Sequence, residues 1–147
     1  MQPLVLRVSS AQLKGLKKAL SGSKWHPREH IVLAGSADSN VWMWNADTST
    51  YLLMFSGHRD NVTCGDFTPD GNTVCTGSND TSLRIWNLNG GNMHVIKGIF
   101  VQASQFYIGI CNPEAVTCLA LSSNSLLAIT GSTDSSVHMV NITTGKV

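Results

Sequence analysis

The chain has 147 residues, of which 42% are hydrophobic and 13% are charged, and its formal net charge is +1 at pH 7. This composition excludes an intrinsically disordered polyelectrolyte, and the length is sufficient for a hydrophobic core. No uncharged run, that over residues 98–113 included, reaches the roughly 20 residues that a membrane-spanning helix requires, so we expect a soluble globular protein without a membrane partner.

Residues 1–24 form a basic segment at the start of the chain. They contain five of the ten basic residues and none of the nine acidic ones, so this segment carries +5 and the remainder carries −4. Residues 12–20 place Leu13, Leu16 and Leu20 on one face of a short helix, and disorder or a transit peptide are the alternatives. The same charge makes RNA a candidate ligand, but five charges are too few for us to expect nucleic acid as the main partner.

A pattern that begins Gly-Ser-x-Asp occurs three times. Its copies occupy residues 35–45, 77–87 and 131–141, at offsets of 42 and 54 residues. The first two copies end in Trp-Asn and the third ends in Val-Asn. Three copies of one unit indicate a repeat protein.

The second unit shows how each repeat is built. A strand is predicted over 62–67, and the turn residues Pro69, Asp70 and Gly71 separate it from strands over 73–76 and 83–86. A fourth strand over 51–55 forms the outer edge of the preceding unit. Alignment of the copies also places a degraded first strand over 20–25. Each unit is therefore expected to be a four-stranded antiparallel sheet.

The cysteines also follow the repeat. Cys64 and Cys118 each end a Val-Thr-Cys triplet, 54 residues apart, so we interpret them as one core position seen twice. The sequence has no Cys-x-x-Cys pair and no secretory signal, which argues against a disulfide framework or a metal site. We therefore expect a reduced intracellular compartment, cytoplasmic or else nuclear, and no cofactor.

Sheets of this size cannot bury both faces alone, so neighbouring sheets must stack, and a repeat near 42 residues favours a radial stack. Gly57-His58 and Trp86-Asn87 bracket the second unit, and in this the chain resembles the WD40 family, with Asn in place of the usual Asp. The resemblance implies an all-β fold of WD40-type β-propeller blades. The predicted repeats are 25–50, 51–92 and 93–147, with an insertion at 99–111 in the third.

Two sequence segments resemble one particular family of WD-repeat proteins. Residues 25–30 read Trp-His-Pro-Arg-Glu-His and residues 41–47 read Val-Trp-Met-Trp-Asn-Ala-Asp, which is similar to the angio-associated migratory cell protein family of WD-repeat proteins. This resemblance implies a non-catalytic scaffold that binds other proteins, with no small-molecule substrate. It also implies an alternative, a chaperone of a basic ribosomal protein in ribosome biogenesis. RNA binding through residues 1–24 is a further alternative.

The second unit contains the residue types of a nucleophilic relay, namely His58, Ser78 and Asp80. A hydrolase would need an exposed serine on a strained turn, and no Gly-x-Ser-x-Gly surrounds Ser78. The WD40 resemblance instead implies a structural hydrogen-bonded tetrad, so we expect no catalytic residue and no enzyme. The tetrad residues are His58, Ser78 or Thr76, Asp80 and Trp86. In the other two units the pattern departs from this set at Leu16, Ile99 and Val140.

Four residues are candidates for an interaction surface: Trp42, Arg59, Asp60 and Arg84. Trp42 and Arg84 occupy one repeat-equivalent position and alternate with buried apolar residues, so they are predicted to point outward. Trp and Arg are frequent anchors in protein interfaces. The alternative is that both side chains pack against the neighbouring blade.

Two features depart from a closed propeller. The insertion at 99–111 is apolar and uncharged, which fits a partner-binding patch or a sequence introduced by alternative splicing or gene prediction. Three blades are too few to close around a channel, since propellers typically have roughly four to eight. We therefore expect an open arc of three blades, as in a truncated form of a longer protein, that associates with itself.

Overall fold

The computed structural model describes residues 20–88, 95–100 and 115–144, and the side chains of 22–88 and 115–144. Within these ranges the regular elements are strands, arranged in three antiparallel sheets. The predicted all-β fold is confirmed. No helix long and apolar enough to cross a membrane occurs in the described ranges.

Each sheet is a meander in which consecutive strands pair, and we call each sheet a blade. The first blade consists of β1 (Leu20–Trp25), β2 (Ile31–Ser36), β3 (Asn40–Asn45) and β4 (Thr50–Ser56). The second consists of β5 (Val62–Phe67), β6 (Thr73–Ser78), β7 (Ser82–Asn87) and β8 (Val95–Phe100). The third contains β9 (Val116–Leu121), β10 (Leu127–Ser132) and β11 (Val137–Asn141). The predicted four-stranded sheet is confirmed for the first two blades.

The structure shifts two predicted boundaries. β1 coincides with the strand predicted over 20–25, so the first blade starts inside the predicted segment 1–24, and the rest of the helix predicted over 12–20 lies outside the described residues. β8 extends to Phe100 and pairs Ile99 with Leu83. Ile99, which alignment places at the histidine position of the third unit, therefore lies in the outer strand of the second blade, because that strand continues into the predicted insertion. Residues 101–111 of that insertion lie outside the described residues.

The repeated Gly-Ser-x-Asp motif forms the turn between the second and third strands of every blade. In each turn the serine hydroxyl accepts the N–H of the aspartate, and the aspartate carboxylate accepts the N–H of the residue two positions further on. The residue after the aspartate has a positive φ angle, 72° at Ser39, 73° at Thr81 and 67° at Ser135. The motif recurs because it encodes this hairpin turn.

The glycine of the motif lies where strands approach closely. A Cβ atom at Gly77 would lie 2.7 Å from Sγ of Cys64 in β5 and 2.5 Å from Cγ1 of Val116 in β9. A Cβ atom at Gly131 would lie 2.6 Å from Sγ of Cys118. The Val-Thr-Cys triplets recur because the cysteine packs opposite this glycine on the paired strand. The two cysteines therefore occupy one repeat-equivalent position, as predicted, but Cys64 is half-buried and Cys118 is exposed, so the prediction that this position lies in the core is wrong.

The blades stack through alternating side chains of the same strands. The core between the first two blades consists of Leu33, Val41, Met43, Phe55, Val62, Phe67, Val74 and Trp86. The core between the second and third consists of Cys75, Leu83, Ile85, Ala128, Val140 and Ile142. Neighbouring residues of a strand face opposite sides of a sheet, so Trp86 packs toward the first blade and Ile85 toward the third. β5 packs against β1 on one side and β9 on the other, and the three blades form an arc.

Candidate interaction site

A chain of buried hydrogen bonds crosses the second blade. The indole Nε1–H of Trp86 donates to Oγ1 of Thr76 at 2.8 Å, and the same hydroxyl lies 2.8 Å from Nε2 of His58. Nδ1 of His58 lies 3.0 Å from Oδ2 of Asp80. Thr76 is 0% exposed, and so is the side chain of His58. Thr76 thus connects Trp86 directly to His58, and His58 extends the connection to Asp80.

The hydrogen-bond donors and acceptors among these four side chains match when His58 is neutral. A carboxylate only accepts, so Nδ1 of His58 carries a proton and donates it to Asp80. Nε2 is then an acceptor and receives the hydroxyl proton of Thr76, whose oxygen accepts from Trp86. Each polar hydrogen has an acceptor, which avoids the cost of about 1–3 kcal/mol for an unpaired buried polar group.

Ser78, which the predicted tetrad includes, lies outside this chain of hydrogen bonds. Its hydroxyl donates to the carbonyl oxygen of Asp60 at 3.0 Å and accepts the N–H of Asp80 at 3.0 Å. Ser78 is the last residue of β6, where the hairpin turn uses its hydroxyl. Thr76, two residues earlier on the same face of β6, is the hydroxyl that reaches His58.

Ser82 is a further member of the site that sequence reasoning missed. Its hydroxyl donates to Oδ1 of Asp80 at 2.6 Å, and its N–H donates to the same oxygen at 2.9 Å. The hydroxyl oxygen also lies 3.1 Å from Nδ1 of His58. The repeat carried a signal for this position, because the equivalent residue of the third blade is also a serine, Ser136.

Asp80 anchors the site as a carboxylate. Burial raises the pKa of its carboxyl, but hydrogen bonds from His58, from Ser82 and from the N–H of Arg59 lower it, and the pKa lies well below its usual range. The Arg59 N–H donates to Oδ2 at 2.8 Å. Asp80 therefore remains ionised and orients both the imidazole and the main chain that follows it.

The hydrogen bonds from Thr76 through His58 to Asp80 have the connectivity of a nucleophilic relay, since a hydroxyl and a carboxylate bind opposite nitrogens of one imidazole. A nucleophile must reach its substrate, but the Thr76 oxygen is fully buried and already accepts the Trp86 indole proton. The geometry therefore favours a structural role. Within the described part of the chain, no group of three or more His, Cys, Asp or Glu side chains is placed to hold a metal ion.

The hydrogen-bonded site fixes the loop 57–61, which joins β4 to β5. Three consecutive residues of the loop have main-chain hydrogen bonds to the hairpin turn 78–82, namely Arg59, Asp60 and Asn61. The side chains of Arg59 and Asp60 are nevertheless exposed. These two predicted surface residues project from a main chain that is held in place before any partner binds.

Trp42 and Arg84 are half-buried, so neither side chain projects freely into solvent in the way that the alternation predicts. The ring of Trp42 stacks on Trp44 at a centroid distance of 6.2 Å and contacts Tyr51 edge-on at 5.8 Å. The Arg84 guanidinium lies against Gly57, where a Cβ atom would be 2.7 Å from one of its nitrogens. Nε1 of Trp42 and Nε of Arg84 are buried, with no hydrogen-bond partner among the described residues. Trp42 thus packs on aromatic rings of its own blade, and Arg84 packs against loop 57–61; a role of either side chain in binding a partner stays a prediction.

Among the described blades, the second alone has the full set of residues. The first blade has Ala34 at the position of Thr76, and the third keeps Thr130 but has Val140 at the position of Trp86. The Ser136 hydroxyl of the third blade instead lies 2.9 Å from Nε2 of His138.

Stacked antiparallel meanders with a shared hairpin motif define a repeat protein built from propeller blades. Residues 8–45, 49–87 and 107–141 match the WD40 family, described as WD domain, G-beta repeat, and the chain belongs to this family. The second match runs from the start of β4 to the end of β7. One sequence repeat thus combines the outer strand of one blade with three strands of the next.

The chain is also similar to longer proteins. It is 39% identical over 132 residues to angio-associated migratory cell protein from Homo sapiens and from Canis lupus familiaris, which covers 87% of this chain and 27% of each relative. It is 33% identical over 130 residues to mitochondrial division protein 1 of Schizosaccharomyces pombe, which covers 82% of this chain and 19% of that relative. The chain therefore spans a minor part of the length of these relatives. WD40 repeats are generally non-catalytic scaffolds for protein interactions.

Proposed function

We propose that this chain is a non-catalytic scaffold that binds other proteins through the end of the blades that carries loop 57–61. The observation that supports this most directly is the anchoring of the loop by the site around His58 and Asp80, while Arg59 and Asp60 stay exposed. A loop that is ordered before binding loses less entropy on association. Arginine is also enriched among the residues that dominate interface energies.

The same end of the blades carries the three hairpin turns, because each turn joins the second and third strands of its blade. Arg59 and Asp60 place opposite charges side by side, and Asp134 adds an exposed carboxylate on the turn of the third blade. Such a mixed surface complements a protein with both charges better than it complements a uniformly charged polymer. This favours a folded or extended protein segment as the partner.

A double charge reversal tests this surface. Arg59→Glu combined with Asp60→Lys keeps the net charge and the main-chain hydrogen bonds of the loop, so the fold should persist. Recovery of a protein partner should fall at least about tenfold, because charges at an interface that meet like charges are unfavourable. The measurement is capture from cell extract with quantitative mass spectrometry, followed by titration of the purified partner.

Arg28→Glu combined with Glu29→Lys is the matched control. Both residues are exposed in the turn between β1 and β2, at the opposite end of the blades. A partner that is lost with the loop variant and retained with the control supports the proposal. Equal recovery by the loop variant and the wild-type chain would remove this end of the blades as the binding surface.

The two alternatives stay predictions. A chaperone of a basic ribosomal protein would need a concentrated acidic surface, but Asp70, Asp80 and Asp134 accept hydrogen bonds within their own turns and Asp66 pairs with Lys24 at 3.2 Å. Most of the basic segment 1–24 lies outside the described residues. Salt-sensitive recovery of a ribosomal protein in the same capture experiment would favour the chaperone, and salt-sensitive RNA binding that is lost without residues 1–24 would favour RNA.

We infer an intracellular setting for this binding, cytoplasmic or nuclear. Cys64, Cys75 and Cys118 are free thiols, which are typical of reducing compartments. Burial raises the pKa of Cys75 to about 12, so this thiol stays protonated and unreactive. Fractionation of cells that express the tagged chain tests the location, and recovery in the secretory pathway would contradict it.

A further inference from the structure

The side chain of His26 joins the first blade to the second. His26 follows β1 directly, and its Nε2 lies 3.1 Å from the carbonyl oxygen of Gly71 in the turn between β5 and β6. Its ring packs edge-on against Phe67 at a centroid distance of 4.9 Å. Gly71 has a φ angle of 76°, and a Cβ atom there would lie 2.5 Å from Nε2. The imidazole therefore occupies space in the second blade that only a glycine leaves open.

The same ring also holds the turn between β1 and β2. The N–H groups of Arg28 and Glu29 donate to Nδ1 of His26 at 3.2 Å and 3.0 Å. An N–H group is only a donor, so Nδ1 must be the unprotonated nitrogen. Nε2 then carries the proton and donates it to the Gly71 carbonyl, which only accepts. These contacts fit one form of the side chain, the neutral imidazole with its proton on Nε2.

Protonation of His26 is incompatible with this turn. An imidazolium carries a proton on each nitrogen, so Nδ1 would present an N–H group to the N–H groups of Arg28 and Glu29. Either the turn opens or the ring moves away from it. The hydrogen bond to Gly71 needs only the proton on Nε2, but the ring that would move is the one that packs on Phe67. One proton therefore affects both the turn and the contact between the blades.

Charged or titratable side chains on the surrounding elements act on this proton as well. In β1, the turn 26–30, β5 and the turn after it, these are Lys24, Arg28, Glu29, His30, Asp66 and Asp70. Lys24 and Asp66 form an ion pair at 3.2 Å, and Arg28 and Glu29 are adjacent and opposite in charge, so both pairs largely cancel. The carboxylate of Asp70 accepts the Thr68 hydroxyl at 2.6 Å within its own turn. Water and salt screen such surface charges, whereas Nδ1 is in direct contact with two donors.

We propose that His26 is a pH-sensitive clasp between the first and second blades, closed while its imidazole is neutral and opened when Nδ1 takes up a proton. A histidine of an unfolded chain takes up its proton at about pH 6.5. Above this pH the clasp contributes fully to stability, and below it the unfolded chain binds a proton that the closed clasp excludes. The contribution is therefore lost as the pH falls. The clasp lies at the opposite end of the blades from loop 57–61, so this inference is independent of the proposed protein-binding surface.

A nitrogen-15 NMR titration of the full chain from about pH 8 to about pH 5 tests where the proton binds. At the higher pH, Nδ1 of His26 should have the chemical shift of an unprotonated imidazole nitrogen and Nε2 that of a protonated one. On acidification the amide signals of Arg28 and Glu29 should shift together with the Nδ1 signal, because they lose their acceptor. A proton on Nδ1 at the higher pH, or amide signals that do not follow the His26 titration, would overturn the proposal.

Two substitutions of His26 that cannot titrate separate the two halves of the clasp. His26→Asn retains a side-chain oxygen that can accept the N–H groups of the turn, and His26→Gln retains a longer amide that can donate toward Gly71. The measurement is urea unfolding at about pH 8 and about pH 5. The folding equilibrium constant of the wild-type chain, relative to each variant, should fall at least about threefold between the two pH values. An advantage of the wild-type chain that is equal at both would mean a purely structural role and would overturn the proposal.

His30→Gln supplies the matched control, because His30 lies four residues further along the same turn and binds Asp47 of its own blade at 2.7 Å. The comparison of the wild-type residue with His26→Gln, repeated in a His30→Gln background, should give the same change with pH. A change that disappears there would belong to His30 and would overturn the proposal. His58 is present in every chain, so its own titration cancels in each comparison. If the His26 variants do not fold, the NMR titration of the wild-type chain decides alone.

Discussion

The hydroxyl of Thr76 connects the Trp86 indole to the His58 imidazole, so two buried hydrogen bonds of the site depend on this one group. Replacing Thr76 with valine should destabilise the chain more than replacing Ser78 with alanine. Valine preserves the shape but leaves the Trp86 N–H and the His58 Nε2 unpaired, at about 1–3 kcal/mol each. Ser78→Ala removes hydrogen bonds to two main-chain groups, the carbonyl of Asp60 in the loop and the N–H of Asp80 in the turn, at about 1 kcal/mol.

Urea unfolding measured by tryptophan fluorescence gives the two changes in free energy. Hydrogen exchange of the Trp86 indole proton, measured by NMR relative to the slowest main-chain amide protons of the same variant, separates the loss of this hydrogen bond from a general loss of stability. Exchange should accelerate under native conditions with Thr76→Val and remain near the wild-type rate with Ser78→Ala. The reverse order in either measurement would mean that Ser78 is the bridging hydroxyl in solution.

His58, Asp80 and Trp86 are recognisable in the sequence because alignment of the three units isolates the unit in which they occur together. The choice between Thr76 and Ser78 is not recognisable in the same way. Both residues lie on one face of β6, so alternation alone gives each of them the same orientation. What separates them is the start of the hairpin turn, which occupies Ser78 with main-chain partners, and turn boundaries are poorly defined by composition.

The hairpin turns store backbone strain that a glycine would relieve. Thr81 is β-branched and has a φ angle of 73°, a region that costs non-glycine residues roughly 1–2 kcal/mol. Part of the gain from Thr81→Gly is offset by the greater entropy of glycine in the unfolded chain. We expect a net stabilisation of about 0.5–1 kcal/mol, measured as a shift of the urea midpoint.

Thr117→Gly is the matched control for this change. Thr117 lies in β9 and does not have a positive φ angle, so the substitution brings no relief of strain. It should destabilise the chain by about 0.5–1 kcal/mol. A loss of stability with Thr81→Gly as well would show that the threonine makes contacts worth more than its backbone strain.

Most strands could be predicted because apolar residues alternate and the units align. The predicted run 62–67 coincides with β5, and the predicted run 51–55 lies within β4. The positive φ angles could not be predicted, since Ser39, Thr81 and Ser135 are not residues that favour them. These conformations are imposed by the serine and aspartate side chains that precede the residue in its turn and bind the main chain there. The local preference of one residue is overridden by its neighbours.

The stacking of blades into an arc can be predicted from the repeats. What covers the two sides of each blade cannot be predicted from them. Alternation correctly groups Trp42 with Arg84 on one side of their strands, yet it contains no information about what covers that side. The structure half-buries both. Ile99 shows a similar limit. Alignment of the units places it at the histidine position, but alignment cannot reveal that β8 continues through this residue. Contacts between elements, and not the elements themselves, are what the sequence left undetermined.

The close approach of the second and third blades at Gly77 should control how tightly the arc holds together. Gly77→Ala would place a Cβ atom 2.5 Å from Cγ1 of Val116 in the third blade and 2.7 Å from Sγ of Cys64 in its own blade, and such overpacking costs about 1–3 kcal/mol. Measuring the same substitution in a Val116→Ala background isolates the contact between blades in a double-mutant cycle. Because the shorter side chain lacks the obstructing methyl group, the cost of Gly77→Ala should fall by at least about 1 kcal/mol there. An unchanged cost in both backgrounds would mean that the conflict is with Cys64 and that Gly77 shapes its own blade only.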